Sequence, residues 1–483
     1  MGRICLVLTA ALCLASCRPQ QTASARYEPR QMPTGAVRES GPLLSYADIV
    51  DRVAPAVVTI RASKRVRPSQ QFPFFDDPFF RQFFGAPRGG NRSQVERALG
   101  SGVIVRADGY ILTNHHVIDG AEDIKVDLDN RRTYSAKLVG SDAPSDLAVL
   151  KIGAGDLPVL QLGDSDTVRV GDVCLAVGNP LGVGESVTAG IISAKGRSTE
   201  MGTGNFQDFL QTDAPINQGN SGGALVNTRG ELIGINSQIV SSNGGNIGIG
   251  FAIPSNMARN VMRQLIGKGT VQRGMLGVGI QPVTSDVAAG LGLKEAQGVL
   301  INSIRAGGPA EKAGLKTGDV ILQLDGKDAN DANELRNRVA AEAPGAEVTL
   351  TILRDGSRQQ VRVRLATLTP DTPDTPQDQG QDQGGGEQGA AKLGITVVPL
   401  SPDVLQQLGL RRGTQGVAID RVDPDGPAAQ AGLRTGDVIQ EVNRQPVRSP
   451  ADLRDSLQRS GNRPPVLLIN RGGRTVFVAV PLG

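Results

Sequence analysis

Histidine is nearly missing from this chain: 483 residues hold two, and they are neighbours, His115 and His116. No other histidine is available to pair with cysteine, and Cys174 is the one cysteine beyond residue 17, so neither a zinc-ligand spacing nor an internal disulfide framework is present. The lone thiol, in Val173-Cys174-Leu175-Ala176-Val177, reads as a buried strand residue. Tryptophan is absent, aromatics are 3% and the net charge is +3, which gives no basis for a base-stacking or phosphate-tracking surface. No nucleic acid partner is expected. Without a nucleotide-binding motif, no cofactor, metal or coupling to ATP is expected either. After residue 15 no apolar run approaches the ~20 residues of a membrane helix.

What is plentiful is punctuation. The 62 glycines and 29 prolines suit a turn-rich β protein with flexible joins, and the length allows about three domains. Met1-Gly2-Arg3 followed by the apolar stretch Ile4 to Ala15 reads as a secretory signal. Leu14-Ala15-Ser16-Cys17 has the form of a bacterial lipobox. This predicts a signal peptide over 1–16, lipidation at Cys17, a polar tether over 17–44 and a periplasmic, lipid-anchored protein of a Gram-negative bacterium. A cut after Ala25 is the alternative and leaves a soluble periplasmic protein. Ser45 is expected to cap a short helix that stops at Pro55, and Ala56 to Ile60 to form the first strand.

The chemistry centres on Gln218-Gly219-Asn220-Ser221-Gly222-Gly223. Glycines flanking Ser221 allow a tight turn and let a substrate carbonyl approach the backbone, so Gly219, Asn220 and Ser221 are the candidate oxyanion hole. A serine hydroxyl needs an imidazole base, and the two histidines end a strand, Tyr110-Ile111-Leu112-Thr113. Asp146, entering the apolar run Leu147 to Ile152, is placed to orient a ring through its Nδ1–H. The order His, Asp, Ser is that of chymotrypsin-type triads.

Four segments carry a family resemblance: Thr-Asn-His-His-Val, Ser-Asp-Leu-Ala-Val-Leu, Gly-Asn-Pro-Leu-Gly and Thr-Asp-Ala-Pro-Ile-Asn-Gln-Gly-Asn-Ser-Gly-Gly-Ala-Leu. Together they resemble the HtrA (Do-like, Deg) serine proteases. The resemblance implies a mostly β protein with a chymotrypsin-like double β-barrel over 45–268 and a triad of His116, Asp146 and Ser221, with His115 in a variable slot. It further implies a homotrimer or a multiple of trimers. Short strands between Leu99 and Ile253 fit barrels or a sandwich on their own spacing. Asn217, Ile249, Gly250 and Phe251 are expected to contact substrate; no acidic residue marks the base of the pocket, which disfavours cleavage after Lys or Arg, and the resemblance implies a preference for small aliphatic residues. Between the first strand and Leu99 lies Gln71 to Gly85, with seven of the 11 phenylalanines. These either cover a local core or contact a neighbouring subunit or the active site.

Beyond a helix over Ser255 to Lys268 the chain repeats itself. Ala313-Gly314-Leu315-Lys316-Thr317-Gly318-Asp319-Val320-Ile321 recurs ~118 residues later as Ala431-Gly432-Leu433-Arg434-Thr435-Gly436-Asp437-Val438-Ile439. Both copies resemble the PDZ domains of bacterial proteases, predicted over 269–366 and 391–483, each with a helix (Ala332 to Ala340; Ala451 to Gln458). Gly274, Met275, Leu276, Gly277 and Val278 are the expected loop for a C-terminal carboxylate. Leu393-Gly394-Ile395 is its counterpart in the second copy. The stretch 367–390, rich in Pro, Asp, Gln and Gly, reads as a disordered linker. The expected activity is ATP-independent endoproteolysis of unfolded or misfolded exported proteins, with PDZ domains binding substrate or activator C-termini. Two rival readings fit the same residues: a chaperone whose site is rarely aligned, and a narrow regulatory protease.

Overall fold

The computed structural model describes residues 45–66, 94–179, 186–199, 206–217, 219–239, 247–369, 393–411, 413–461 and 463–481. The expected signal peptide, Cys17, most of the Phe-rich stretch's surroundings including Gln71 to Gly85 itself, Gln218 and nearly all of the 367–390 linker lie outside these residues. Helix α1 (Ala47–Val53) has Tyr46, not Ser45, at its N-cap, and no side chain caps it.

Two closed six-stranded barrels follow. The first is built from β1 (Val57–Val66), β2 (Gln94–Arg106), β3 (Tyr110–Thr113), β4 (Asp123–Asp127), β5 (Thr133–Asp142) and β6 (Leu147–Ile152), in the order β1-β2-β3-β6-β5-β4. The second comprises β7 (Val173–Gly178), β8 (Ser186–Arg197), β9 (Phe209–Thr212), β10 (Ala224–Asn227), β11 (Leu232–Ile239) and β12 (Gly250–Pro254), ordered β10-β11-β12-β9-β8-β7. Strand alternation explains why several of these segments read as unbroken apolar runs. In β6, Ala148, Leu150 and Ile152 fill the first barrel, while Leu147 and Val149 face the seam between the barrels. In β10, Leu225 fills the second barrel and Ala224 and Val226 face the same seam. Both faces are therefore buried, and the barrels are clamped along the line where the site forms. Helix α2 (His115–Ile118) closes one end of the first barrel with Val117 and Ile118. Helix α3 (Ser255–Lys268) lays Ala258, Val261 and Leu265 on the seam and ends at Gly269 in a left-handed conformation, φ 74°.

The first repeat contains β13 (Gly274–Met275), β14 (Val278–Pro282), α4 (Ser285–Leu291), β15 (Val299–Ile304), α5 (Pro309–Lys312), β16 (Val320–Leu324), β17 (Lys327–Asp328), α6 (Ala332–Ala341), β18 (Glu347–Arg354), β19 (Ser357–Arg364) and β20 (Ala366–Thr367). Its main sheet runs β14-β15-β16-β18-β19, and β13 pairs with β20. The second repeat has the same plan: β21 (Ile395–Pro399), α7 (Pro402–Gln407), β22 (Val417–Val422), α8 (Pro427–Gln430), β23 (Val438–Val442), β24 (Gln445–Pro446), α9 (Pro450–Arg459), β25 (Val466–Arg471) and β26 (Arg474–Ala479).

The repeated Thr-Gly-Asp motif has a structural reason. Asp319 is 1% exposed, accepts two bonds from Arg354 (2.7 and 2.6 Å) and takes the backbone N–H of Lys316 at 2.8 Å. Asp437 does the same with Arg471 (2.7 and 2.7 Å) and the N–H of Arg434 at 2.9 Å. A buried carboxylate is retained because both of its oxygens find donors, two of them from a charged guanidinium. The repeats also share an apolar cluster, in which Val283, Val287, Leu300 and Val320 of the first meet Val466, Leu468 and Phe477 of the second. The Gln281 amide sits over it, accepting from the Phe477 N–H (2.8 Å) and donating to the Phe477 carbonyl (3.0 Å).

Candidate active site

Asp146 is delivered by backbone strain. A 3-10 turn, Ala143–Ser145, is capped at its start by the Asp142 carboxylate and ends on Asp146 at φ 54° and ψ 41°, a left-handed conformation in which Asp is among the better tolerated side chains. The His116 Nδ1 lies 2.9 Å from both Asp146 carboxylate oxygens, and the His116 backbone N–H donates to Oδ1 at 3.1 Å. The Asn114 side chain donates to the Asp146 carbonyl at 3.0 Å.

His115 goes elsewhere. Its backbone N–H donates to the Asp146 carbonyl at 3.2 Å, while its ring Nε2 lies 3.7 Å from Asp119. Of the two imidazoles, only that of His116 meets the carboxylate of Asp146. Burial by itself raises the Asp146 pKa, but the facing His116, its two hydrogen bonds and a bond from Ser237 outweigh this and hold the carboxyl below its usual value of 3.8.

Ser221 comes from the second barrel on a turn pinned from both sides. Its carbonyl accepts the Ser101 N–H at 2.8 Å, and Ser101 Oγ donates to the Gly219 carbonyl at 2.6 Å. The Gly222 N–H donates to the Asn236 carbonyl at 2.8 Å. Glycine at 222 is obligatory, since φ is +83° and a Cβ there would overlap the Ser101 carbonyl oxygen. The Ser221 hydroxyl donates to the Ser237 carbonyl at 2.9 Å.

Ser237 escaped the sequence reading, yet it touches both ends of the site. Its own hydroxyl donates to Asp146 Oδ2 at 2.9 Å, while its carbonyl holds Ser221. The β11–β12 register shifts between Asn236 and Gln238, a bulge that turns Ser237 out of the ladder. The signal available in sequence was the polar triplet Asn236-Ser237-Gln238 inside an otherwise apolar strand.

Other expected site residues divide. Gly219, at φ 95°, lies in the serine turn. Asn220 does not aim its N–H at the site, because that group donates to the Asn217 carbonyl at 3.0 Å. Asn217 itself is exposed. Gly250 packs on Ile216, with an added Cβ falling 2.9 Å from the Ile216 Cδ1. Phe251 corrects the expectation of a cleft residue: it is 5% exposed, packs with Phe209 at a centroid distance of 5.5 Å and belongs to the seam core. Alternation along β12 gives the reason, since Gly250 and Ala252 take one face and Phe251 the other. Ile249 precedes the strand and is half-buried against the same core.

In the first repeat, Gly274 and Met275 form β13; the Gly274 N–H is spent on the Glu342 carbonyl (3.0 Å), while Met275 lines a cavity with Arg305, Gly308 and Pro309. Leu276-Gly277-Val278 follows as a turn into β14. Gly277 has φ +75°, its carbonyl accepts the Arg305 N–H (2.9 Å), and the Leu276 carbonyl accepts the Ala310 N–H (2.9 Å). Leu393 and Gly394 reproduce this with the N–H groups of Ala428 (3.0 Å) and Asp423 (2.7 Å). Among the described residues there is no group of three or more metal-ligating side chains.

Two six-stranded barrels, with Ser221 of the second reaching the Asp146–His116 pair of the first through Ser237, have the architecture of a chymotrypsin-type serine endopeptidase, here followed by two repeats of one further domain. Family models agree: a trypsin-like peptidase domain matches residues 100–235, and PDZ domains match 274–365 and 419–471. A probable periplasmic serine endoprotease, DegP-like, of Brucella suis biovar 1 is 40% identical over 475 residues, covering 91% of this chain and 90% of its own. Its namesake in Chlamydia trachomatis serovar D is 39% identical over 475 residues, covering 97% and 93%. Among solved structures, an HtrA-type protease AlgW with decapeptide is 48% identical over 68% of this chain and 100% of its own, with a TM-score of 0.53. The same protease with tripeptide is 44% identical over 68% and 99%, with a TM-score of 0.55. The chain belongs to the DegP-like, HtrA-type family of serine endoproteases.

Proposed function

We propose that this protein is a periplasmic, ATP-independent endoprotease that cleaves unfolded or misfolded exported proteins through His116, Asp146 and Ser221, while its PDZ domains take C-termini of substrates or activators. The observation that carries the reading is the continuous hydrogen-bonded set running from Ser221 through Ser237 to Asp146 and His116. Attack begins when the Ser221 hydroxyl leaves the Ser237 carbonyl and passes its proton to His116 Nε2. The oxygen adds to the peptide carbonyl, the oxyanion is held by the N–H groups of Gly219 and Ser221, and His116 returns the proton to the leaving amine. Each oxyanion donor is worth about 2.7–4 kcal/mol of barrier. Asp146 fixes the tautomer and stabilises the imidazolium, assisted by the Ser237 hydroxyl. Water then hydrolyses the acyl-enzyme by the reverse sequence.

Ile216 packed on Gly250 supports a shallow apolar pocket, and hence small aliphatic residues on the acyl side of the cleaved bond. The relatives' names support a periplasmic site of action. A lipid tether through Cys17 and assembly as a trimer or a multiple of trimers complete the proposal.

The test is β-casein cleavage by the mature protein beside Ser221→Ala, His116→Ala and His115→Ala, all shown to be folded. Loss of activity in the first two with retention in His115→Ala is expected. Activity surviving in Ser221→Ala, or lost only in His115→Ala, overturns the assignment. An inactive wild type, even with a C-terminal activating peptide, turns the reading toward a PDZ-bearing chaperone.

A further inference from the structure

The two PDZ repeats share a backbone plan but not the charge around their glycine turns. In the first, Gly277 packs against the segment joining β15 to α5, where an added Cβ would lie 3.3 Å from Pro309 Cδ and 3.6 Å from Arg305 Cβ. That segment, together with Met275 and the end of β19, lines a cavity of about 400 Å³. Arg305, Lys312 and Arg364 are its charged walls, and none of the described residues lining it is acidic. The Arg364 Nε donates to the Gly345 carbonyl at 3.2 Å, and the Arg305 Nη1 lies 3.9 Å from the Met275 sulfur. Glu311, in the adjoining turn, spends its carboxylate on the Gly307 N–H at 2.7 Å.

The second repeat keeps the turn and reverses the charge. Asp423 stands where Arg305 does: each donates its N–H to the carbonyl of the turn glycine, Arg305 to Gly277 at 2.9 Å and Asp423 to Gly394 at 2.7 Å. A Cβ on Gly394 would lie 3.1 Å from Asp423 Cβ and 3.8 Å from a carboxylate oxygen of Asp423. At the same ~118-residue offset Gly307 becomes Asp425 and Lys312 becomes Gln430. In the register that aligns Arg354 with Arg471, Arg364 becomes Pro481. At these four positions the first copy carries three cations and the second two carboxylates. The fold requires neither set, because main-chain bonds hold the turn in both copies.

We propose that the cavity is an anion subsite of the first PDZ domain, taking an aspartate or glutamate side chain from the last few residues of a bound C-terminus, and that the second PDZ domain rejects such ligands. The proposal rests on the reading of these domains as binders of C-termini. The cavity wall touches the turn glycine, so a chain that ends at the turn brings its preceding side chains within reach of the cations. In the second copy the same approach meets Asp423 and Asp425, and like charges repel. Acidic-tailed substrates or activators are then held by the first repeat, which leaves the second to neutral or basic segments.

The test is fluorescence anisotropy of labelled peptides ending Glu-Glu-Val, Ala-Ala-Val and Lys-Lys-Val, on the full chain carrying Ser221→Ala to prevent cleavage. An exposed ion pair is worth up to about fivefold in affinity. Glu-Glu-Val is expected to bind about 3–10-fold tighter than Ala-Ala-Val at low salt, with Lys-Lys-Val weakest. These differences should shrink at about 1 M salt, where the Debye length is ~3 Å. Arg305→Asp/Lys312→Gln, which gives the first repeat the second one's residues, should bring the ratio of Glu-Glu-Val to Ala-Ala-Val affinity to about one or below. Lys312→Gln alone, at an exposed side chain, should lower that ratio about twofold and carries the test if the pair unfolds. Equal affinities for the three peptides, or a preference that neither variant changes, overturn the proposal. The same peptides as C-terminal amides keep its failure apart from that of the reading beneath it. Amides that bind as tightly as free acids refute the capture of C-termini, whereas a preference for free acids without one for Glu over Lys refutes the anion subsite alone.

Discussion

The joint between peptidase and first PDZ domain rests on a buried ion pair whose removal has a calculable cost. Arg273 Nη1 and Nη2 meet the two Asp142 oxygens at 2.9 and 2.5 Å, and the side chains are 10% and 7% exposed. Asp142 also accepts the Ser145 N–H (3.0 Å) and hydroxyl (2.5 Å), so it caps the turn that ends at Asp146. Arg273→Met keeps most of the packing but strands a buried carboxylate with Ser145 as its remaining support, which costs about 3–5 kcal/mol. For a domain of this size each kcal/mol corresponds to ~2–4 °C, so the melting temperature of the peptidase domain should fall by roughly 6–20 °C. Adding Asp142→Leu removes the stranded charge. The double variant should regain most of the loss, short of about 1 kcal/mol for the missing cap. Scanning calorimetry in a Ser221→Ala background measures this without self-cleavage. An Arg273→Met transition within about 2 °C of its parent, or a double variant less stable than Arg273→Met alone, would refute the reasoning.

Asp208, beside the same joint, is pushed up from 3.8 to about 6 by burial and by the like charges of Glu334, Asp166 and Asp331, against the attraction of Lys195. A carboxyl raised in the folded state favours folding below its unfolded pKa, and that contribution is lost as pH rises through about 6. Asp208→Asn should therefore raise stability at pH 8 by at most about 3 kcal/mol and give no gain near pH 4, read from melting curves at both values. At the serine turn, Gly222→Ala places a Cβ on the Ser101 carbonyl at a positive φ. It should abolish peptidase activity while leaving PDZ peptide binding intact; retained activity means the turn is not held as described.

Much of this molecule was decided by local sequence. The order of His, Asp and Ser, the glycines around Ser221, the β-rich spacing and the duplicated Thr-Gly-Asp motif follow from residue type and separation alone, because each requirement is met within a few neighbours. Asp319 and Asp437 cap the backbone N–H three residues before them, a local demand that the sequence repeats in both copies.

The tertiary structure decided what depends on partners distant in the chain. His115 and His116 are equivalent in composition, and the strained turn at Asp146, 30 residues on, gives the carboxylate to His116. Ser237 acquires its role from a bulge in β11 and from Asp146, 91 residues away, so no periodicity announces it. Phe251 was legible as a strand residue but not by face; that was fixed when Phe209 packed against it on the seam. Arg273 looks like any surface arginine until folding brings Asp142 to it across 131 residues. Sequence alone determined which chemical groups this protein carries and in what order, because those properties are covalent. Which groups are buried, paired and aimed depended on closing two barrels and docking a PDZ domain, because burial and pairing exist only between segments brought together in space.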